Sequence, residues 1–197
     1  MTSIFEELQT AYRASQETYR QYARNSLAAA QQLAHDFREY IGAPETYTDP
    51  EDETRRPYVR LLSFQMPDGV PVAVQPEAHA DLLTREADGF WRFAVALTLD
   101  RDAVSFPKQQ LAFFLRLKIH EGVCHVQLLD DGLQDFRIAI ARNSEKHALF
   151  DHMVAMVNRL LSAKPWDGVE KLPIGFELNH PDLPLDSEAP EPPLAQP

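Results

Sequence analysis

Apolar and polar residues alternate most regularly between residues 111 and 141, and this stretch organises the predicted fold. Every second residue from 111 to 119 is Leu, Phe or Ile, the period of a strand with one buried face. Glu121-Gly122 fits a two-residue hairpin turn, because Gly readily takes the positive φ that tight hairpin turns require. Pairing about this turn sets Ile119 opposite Cys124 and keeps the apolar residues of both strands on one face.

A second turn extends the same sheet. Asp130-Asp131-Gly132 fits a three-residue loop with Gly in the left-handed position, which pairs Val126 with Phe136 and Cys124 with Ile138. Both hairpins then bury the same face, and a slip of one residue would break this agreement. The opposite face carries two polar rows: Arg116, Gln127 and Asp135 in one, and Lys118, His125 and Arg137 in the other.

Further strands are predicted upstream. Residues 58–66 and 70–75 flank Pro67-Asp68-Gly69, where a three-residue loop would set Phe64 opposite Val72 and Leu62 opposite Val74. Residues 90–99 alternate strictly and predict a strand. Residues 77–87 fit either a short helix or a strand that ends at Asp88-Gly89 and places Leu83 opposite Phe93, and we favour the strand.

Residues 3–41 predict a long helix. Ser3 and Glu6 fit a capping box, and Gly42 followed by Pro44 ends the helix. Such a helix would be roughly 55 Å long, whereas a compact domain of this size is only about 40 Å across. It must therefore bend, break or project, and its end either frays beside its own sheet or mediates self-association.

A second helix is predicted from a cap at Asn143 or Ser144 to a stop at Lys164-Pro165. Apolar residues at helical spacing should cover the apolar face of the sheet. These residues are Leu149, Phe150, Met153, Val154, Val157, Leu160 and Leu161.

The pattern as a whole predicts an α+β fold: an antiparallel β-meander of six or seven strands, with a long N-terminal helix and a C-terminal helix packed on its apolar face. We divide the chain into the N-terminal helix (1–42), an acidic Pro-containing linker (43–57), the sheet with its C-terminal helix (58–164), and a Pro-rich acidic C-terminal tail (165–197).

Composition narrows the class of protein. The chain has 197 residues, 44% of them hydrophobic, and a formal net charge of −11, so we expect a real core and no nucleic-acid partner. With a single cysteine, Cys124, there is no intramolecular disulfide. The N-terminal residues lack the basic and apolar regions of a signal peptide, and no apolar run reaches the ~18 residues of a membrane span. We therefore expect a cytoplasmic protein without a membrane partner.

A search for catalytic chemistry finds no signature. The glycines fall at turns, helix ends or the C-terminal tail, and neither phosphate-binding glycine motif nor G-x-S-x-G occurs. His147 and Asp151 share a helix face, and His35-Asp36 is an isolated pair, but H-E-x-x-H is absent. We predict no catalytic residue, no metal site and no cofactor.

The candidate site is the polar face of the sheet. Its cationic and histidine side chains are Arg92, Arg116, Lys118, His120, His125 and Arg137. In a protein of net charge −11, cations concentrated on one surface favour an anionic partner, such as an acidic protein segment, a phosphate compound or the chain's own acidic tail.

The leading hypothesis is a non-catalytic cytoplasmic binding or adaptor protein, chaperone-like or inhibitor-like, that recognises an acidic or anionic partner through this basic face. We expect that partner to be a protein, and residues 3–41 offer a surface for a homodimer. One alternative is a small-molecule-binding protein or enzyme with a sheet–helix pocket, in which His125, Arg137 and Arg116 hold an anionic ligand. A second alternative is an acidic nucleic-acid mimic, which rests on net charge and the acidic tail.

Overall fold

The computed structural model describes residues 3–49, 53–76, 78–100, 108–129, 134–139, 145–162 and 175–177. It confirms the α+β fold: an antiparallel sheet with one long N-terminal and one C-terminal helix. The helices are α1 (Ile4–Tyr40) and α2 (Lys146–Ser162). The strands are β1 (Thr46–Thr48), β2 (Arg55–Pro57), β3 (Val59–Gln65), β4 (Val72–Val74), β5 (Thr84–Arg85), β6 (Trp91–Leu99), β7 (Gln109–His120), β8 (Val123–Leu128), β9 (Gln134–Ala139) and β10 (Gly175–Glu177).

The main sheet runs in the order β4-β3-β6-β7-β8-β9, with β5 added to β6 and β10 added to β7. Its order differs from a simple meander at one place, because β3, and not its hairpin partner β4, borders β6. β1 and β2 form a separate small hairpin inside the segment predicted as a linker. β10 lies in the segment predicted as a tail; the other residues after 162 lie outside the described part of the chain.

Helix α1 begins with the predicted capping box. The backbone N–H of Ser3 donates to Glu6 Oε2 at 2.8 Å, and that of Glu6 donates to Ser3 Oγ at 3.3 Å. The buried residues of α1 lie only between Ser26 and Phe37. The first half therefore projects beyond the sheet, and we call residues 4–18 the overhang. Large apolar side chains of the overhang face solvent: Ile4, Phe5, Leu8 and Tyr12.

The two organising hairpins have the predicted register. Ile119 pairs with Cys124 across a turn in which Glu121 (φ 50°) and Gly122 (φ 77°) are both left-handed. Cys124 in turn pairs with Ile138, as predicted, although the loop at residues 130–132 lies outside the described residues. These pairings place Cys124 in the core.

The predicted register of the β3–β4 hairpin is wrong by one residue. Phe64 pairs with Ala73 instead of Val72, and Val74 pairs with Ser63 instead of Leu62. The connection spans residues 66–71 rather than three residues. This register brings Ala73 into the apolar cluster that contains Phe64, and a small residue fits there against the ring.

Residues 78–87 combine both predicted alternatives. A 3₁₀ turn at His79–Leu82 precedes the short strand β5. Thr84 pairs with Arg92, which is the register predicted from Leu83 opposite Phe93.

The sheet has apolar residues on both faces. The inner face, which includes Phe93, Phe113 and Leu115, is covered by α1 and α2. The opposite, outer face has a second apolar cluster where β3, β4, β6 and β7 meet: Leu62, Phe64, Ala73, Ala94, Ala96, Ala112 and Phe114. The outer face is therefore only partly polar, and its polar rows on β6 to β9 lie beside this apolar cluster.

Helix α2 buries most of the predicted apolar stripe, with two corrections. Leu161 belongs to the predicted stripe but is 57% exposed, whereas Met156 lies outside that prediction and is 3% exposed. Residues 149, 153, 156 and 160 follow the helical period of 3.6, and Leu161 falls one step outside this stripe. The predicted caps Asn143 and Ser144 lie outside the described residues.

Polar contacts fix the two helices to one another on the inner face. Lys146 forms an ion pair with Asp36, and the Tyr40 hydroxyl donates to Asp151. Phe37 packs edge-on against Phe113 of the sheet, at 5.7 Å between ring centroids. No helix among the described residues is long and apolar enough to cross a membrane.

Candidate binding site on the outer sheet face

The six predicted site residues lie on strands β6 to β9, on the outer face. Arg92 pairs with Arg116, which pairs with Gln127. One row further along, His125 pairs with Lys118 on one side and with Arg137 on the other. His120 lies two residues beyond Lys118 on β7 and therefore faces the same way.

Arg116 already has partners within the chain. Its Nη1 donates to Glu86 Oε2 at 2.7 Å and its Nη2 to Asp88 Oδ2 at 2.9 Å. Its Nε donates to Gln127 Oε1 at 2.6 Å, and the guanidinium lies 4.4 Å from the Phe90 ring centroid. Three of its five N–H groups donate within the chain and two carboxylates compensate its charge, so Arg116 orders the β5–β6 turn.

The environment of Asp88 keeps this contact ionised. The backbone N–H of Phe90 donates to Asp88 Oδ1 at 3.1 Å and lowers the pKa of the Asp88 carboxyl, and the nearby Arg116 lowers it further. Asp88 therefore keeps its charge at neutral pH.

Lys118, His125 and Arg137 form a line across β7, β8 and β9, which we call the cation row. The Nζ of Lys118 donates to the backbone oxygen of Asp88 at 3.0 Å, a neutral acceptor that leaves its charge uncompensated. No member of the row has an ion pair with a carboxylate of the described residues. Adjacent strands are ~4.8 Å apart, so the row spans about 10 Å.

The other two predicted residues lie apart from the row. His120 is exposed at the hairpin end, with its Nδ1 4.0 Å from the Glu121 carboxylate. The Arg92 guanidinium lies over the Phe64 ring, 5.6 Å from its centroid, and lines a cavity at the opposite edge of β6. The structure thus separates the predicted patch into a neutralised arginine, a row and two outlying side chains.

Sequence reasoning missed Glu86 and Asp88 as the partners of Arg116. Their acidic character next to Gly89 was visible, but they belong to the segment whose secondary structure was ambiguous. Only the β5–β6 register brings this turn beside β7.

The histidine and carboxylate pairs that the sequence offers as metal ligands, His35 with Asp36 and His147 with Asp151, contact other side chains. His35 Nε2 lies 3.1 Å from Glu39, and Asp36 is paired with Lys146. The His147 ring packs against the Tyr40 ring at 5.2 Å. Within the described ranges, no three His, Cys, Asp or Glu side chains are grouped as a metal site would require.

A second polar cluster joins three residues that directly flank strands β3, β6 and β7. The Tyr58 hydroxyl and Lys108 Nζ each donate to Asp100 Oδ2 at 2.6 Å. The hydrogen bond to Asp100, with burial, raises the pKa of Tyr58 to about 12. Burial likewise raises the pKa of the Cys124 thiol to about 11. Both pKa shifts move away from neutral pH, so the Tyr58 hydroxyl and the Cys124 thiol stay protonated at neutral pH. Neither group is activated as a base or nucleophile.

Comparison of the chain with protein-family models, curated proteins and solved structures gives no match.

Proposed function

We propose that this chain is a non-catalytic cytoplasmic binding protein whose cation row holds the carboxylates of an acidic protein segment. The observation that carries the proposal is the row itself: Lys118 and Arg137 flank His125 without a carboxylate partner among the described residues. The chain as a whole has a large negative excess, with a net charge of −11. An uncompensated positive line on such a protein favours an anionic ligand.

The geometry of the row suits a peptide. Alternate side chains of an extended segment lie ~7 Å apart on one side, and those four positions apart lie ~13 Å apart. Two carboxylates at such spacings can meet Lys118 and Arg137 when the segment crosses the three strands. Arg116, one row away, already binds two carboxylates in a fork, so the same surface accommodates this type of contact.

Fluorescence anisotropy with a labelled decapeptide of alternating Glu and Ser tests the proposal. We expect binding that weakens about tenfold or more in the double variant Lys118→Gln with Arg137→Gln, because each charge-assisted contact contributes ~1.5–3 kcal/mol. A peptide of alternating Gln and Ser should not bind.

The matched control is Arg13→Gln with Arg20→Gln, which removes the same charge from α1, far along the chain from the row. Equal loss of affinity in the control and in the row variant would show that only net charge matters and would overturn the proposal. Failure of the acidic peptide to bind would overturn it as well.

A second test asks whether the predicted acidic tail competes with the peptide for the cation row. Residues 182–191 include Asp182, Asp186, Glu188 and Glu191. Tethered segments act at effective concentrations in the millimolar range. If the tail occupies the row, a full-length variant with these four residues changed to Asn or Gln should bind the acidic peptide more tightly, whereas an unchanged affinity would exclude tail capture.

We further propose that the overhang of α1 pairs weakly with a second copy of itself. Its exposed apolar side chains include Phe5, Leu8 and Tyr12. We call this exposed apolar stripe the seam. The residues that flank it are uncharged, so a second copy meets no like charge there. These residues are Gln9, Ala11, Gln16 and Thr18. Large side chains carry ~150–250 Å² each, so two seams would bury on the order of 1,000 Å², at the lower end for specific interfaces.

A further inference from the structure

A cavity lies where two strands diverge along one edge of β6. β3 pairs with this edge up to Leu62 opposite Ala94, and β5 pairs with it from Thr84 opposite Arg92. Beyond Leu62, β3 turns away to pair with β4 through Ser63. Phe93 lies between the last residue of β6 that pairs with β3 and the first that pairs with β5. We call the gap between β3 and β5 at this point the fork, and α1 crosses beside it.

This fork encloses about 690 Å³ between α1 and the sheet edge, within the ~300–1,000 Å³ typical of small-molecule sites. Its apolar wall comes from Ala23 and Leu27 of α1 and from Phe64, Leu83 and Trp91 of the sheet side. Both helix and sheet therefore contribute an apolar surface that a flat or aliphatic ligand body can contact.

The polar groups of the cavity are mainly cationic. Arg24, Arg85 and Arg92 line it, against one carboxylate, Asp81. Arg24 is compensated by Glu17 at 3.0 Å, whereas Arg85 lies 4.9 Å from the Tyr19 ring centroid and has no ion pair among the described residues. The net charge of the lining is thus positive, in a protein whose net charge is −11.

Two buried donors in the wall lack an acceptor among the described residues. The Arg92 Nε and the Trp91 Nε1 are both buried without a hydrogen-bond partner. Buried donors are nearly always satisfied, because an unpaired one costs ~1–3 kcal/mol. Both belong to residues that line the cavity, where a bound ligand would bring an acceptor close to them.

We infer that this cavity binds a small amphipathic anion: an aromatic or aliphatic body that packs between Leu27 and Trp91, with one carboxylate, sulfonate or phosphate held by Arg85 and Arg92. The site differs from the cation row in place and in ligand, because it is concave and largely apolar. It requires no acidic protein partner.

Two dyes with the same ring system test this assignment. 8-Anilinonaphthalene-1-sulfonate carries the anionic group, and N-phenyl-1-naphthylamine lacks it. We expect the sulfonate dye to bind one site per chain and to weaken about tenfold in Arg85→Gln and in Arg92→Gln, the loss of roughly one charged contact. The neutral dye should bind both variants as it binds the unchanged chain.

The location is tested separately. A Trp166→Phe chain keeps Trp91 as its sole tryptophan, and energy transfer from Trp91 should accompany dye binding. Ala23→Phe, which narrows the cavity from the α1 side, should weaken both dyes. Arg13→Gln, on the overhang, is the matched charge control and should change neither.

Unchanged sulfonate affinity in both arginine variants would overturn the anion assignment. Binding of both dyes to Ala23→Phe at full strength, or no saturable binding at all, would overturn the cavity as a site. Arg85 is exposed, so its variant should fold even if Arg92→Gln does not, and the far-UV circular dichroism of each variant reports folding.

Discussion

The buried ion pair between Lys146 of α2 and Asp36 of α1 allows a quantitative test of how the helices are held. The two side chains are 11% and 15% exposed, and Gln32 Nε2 also donates to Asp36 Oδ1 at 2.7 Å. Replacing Lys146 by Met keeps most of the length of the side chain but leaves the Asp36 carboxylate without its cation in a largely dry position.

The expected cost follows from that burial. Removing one partner of a buried pair costs ~3–5 kcal/mol, and the residual exposure of Asp36 places this case near ~3 kcal/mol. For a chain of this size, 1 kcal/mol corresponds to ~2–4 °C in Tm. Lys146→Met should therefore lower Tm by about 6–12 °C.

The assay is urea unfolding followed by circular dichroism, with Asp36→Leu, Lys146→Met and the double variant in one thermodynamic cycle. The double variant should recover to within ~1 kcal/mol of the unchanged chain, because neither charge of this pair is left without the other. Arg24→Met is the control: its pair with Glu17 is 63% exposed on both sides and should cost less than ~1 kcal/mol. Equal losses for Lys146→Met and Arg24→Met, or additive losses in the double variant, would refute this reasoning.

Three further predictions concern stability and assembly. Unfolded tyrosine ionises near pH 10.0, but the pKa of folded Tyr58 is about 12, so the stability that Tyr58 contributes is complete below pH 10 and is lost towards pH 12. Guanidinium unfolding at a series of pH values should show a smaller loss of unfolding free energy between pH 10 and pH 12 for Tyr58→Phe than for the unchanged chain. An equal loss in the two chains would contradict this. In urea unfolding, Met156→Ala should lower the free energy of unfolding by ~2–3 kcal/mol, whereas Leu161→Ala should lower it by less than ~0.5 kcal/mol. A larger loss for Leu161→Ala than for Met156→Ala would place Leu161 in the core. Light scattering should show a concentration-dependent dimer that Leu8→Ser with Tyr12→Ser converts to a monomer and Gln9→Ser does not, and a monomer at about 1 mM in the unchanged chain would exclude pairing through the overhang.

The sequence could define the β7–β8–β9 meander because pattern and turn chemistry agree there. The Gly122 turn and the alternation of residues 111–119 each specify the same register, so neither could slip without exposing the apolar face. The cation row follows from that register alone. The sequence therefore predicts the members of the row residue by residue.

The β3–β4 connection could not be predicted in this way. Pro67-Asp68-Gly69 fits a three-residue loop, but in the structure these residues form a 3₁₀ turn with Asp68 at φ 51°, and pairing resumes only at Val72. In the observed register Ala73 pairs with Phe64 inside an apolar cluster that also contains residues of β6 and β7. Local turn chemistry does not contain this information.

The partners of Arg116 and the cavity depend on tertiary contacts in the same way. Glu86 and Asp88 reach Arg116 only because β5 joins the edge of β6 that β3 has left. The fork created there also forms the cavity. The apolar stripe of a helix likewise does not show where the sheet beneath the helix ends. The sequence therefore predicts only that helix α1 bends, breaks or projects, and the exposure of the overhang is one of these three outcomes.

The proposed role of the cation row as the surface that binds carboxylates has one most direct test. It is residue-resolved NMR of the ¹⁵N-labelled full chain during titration with the alternating Glu and Ser decapeptide. We predict the largest shift changes at Lys118, His125 and Arg137 and their strand neighbours, and their loss in Arg137→Gln. Shift changes confined to α1 or α2, or unchanged in Arg137→Gln, would contradict this role.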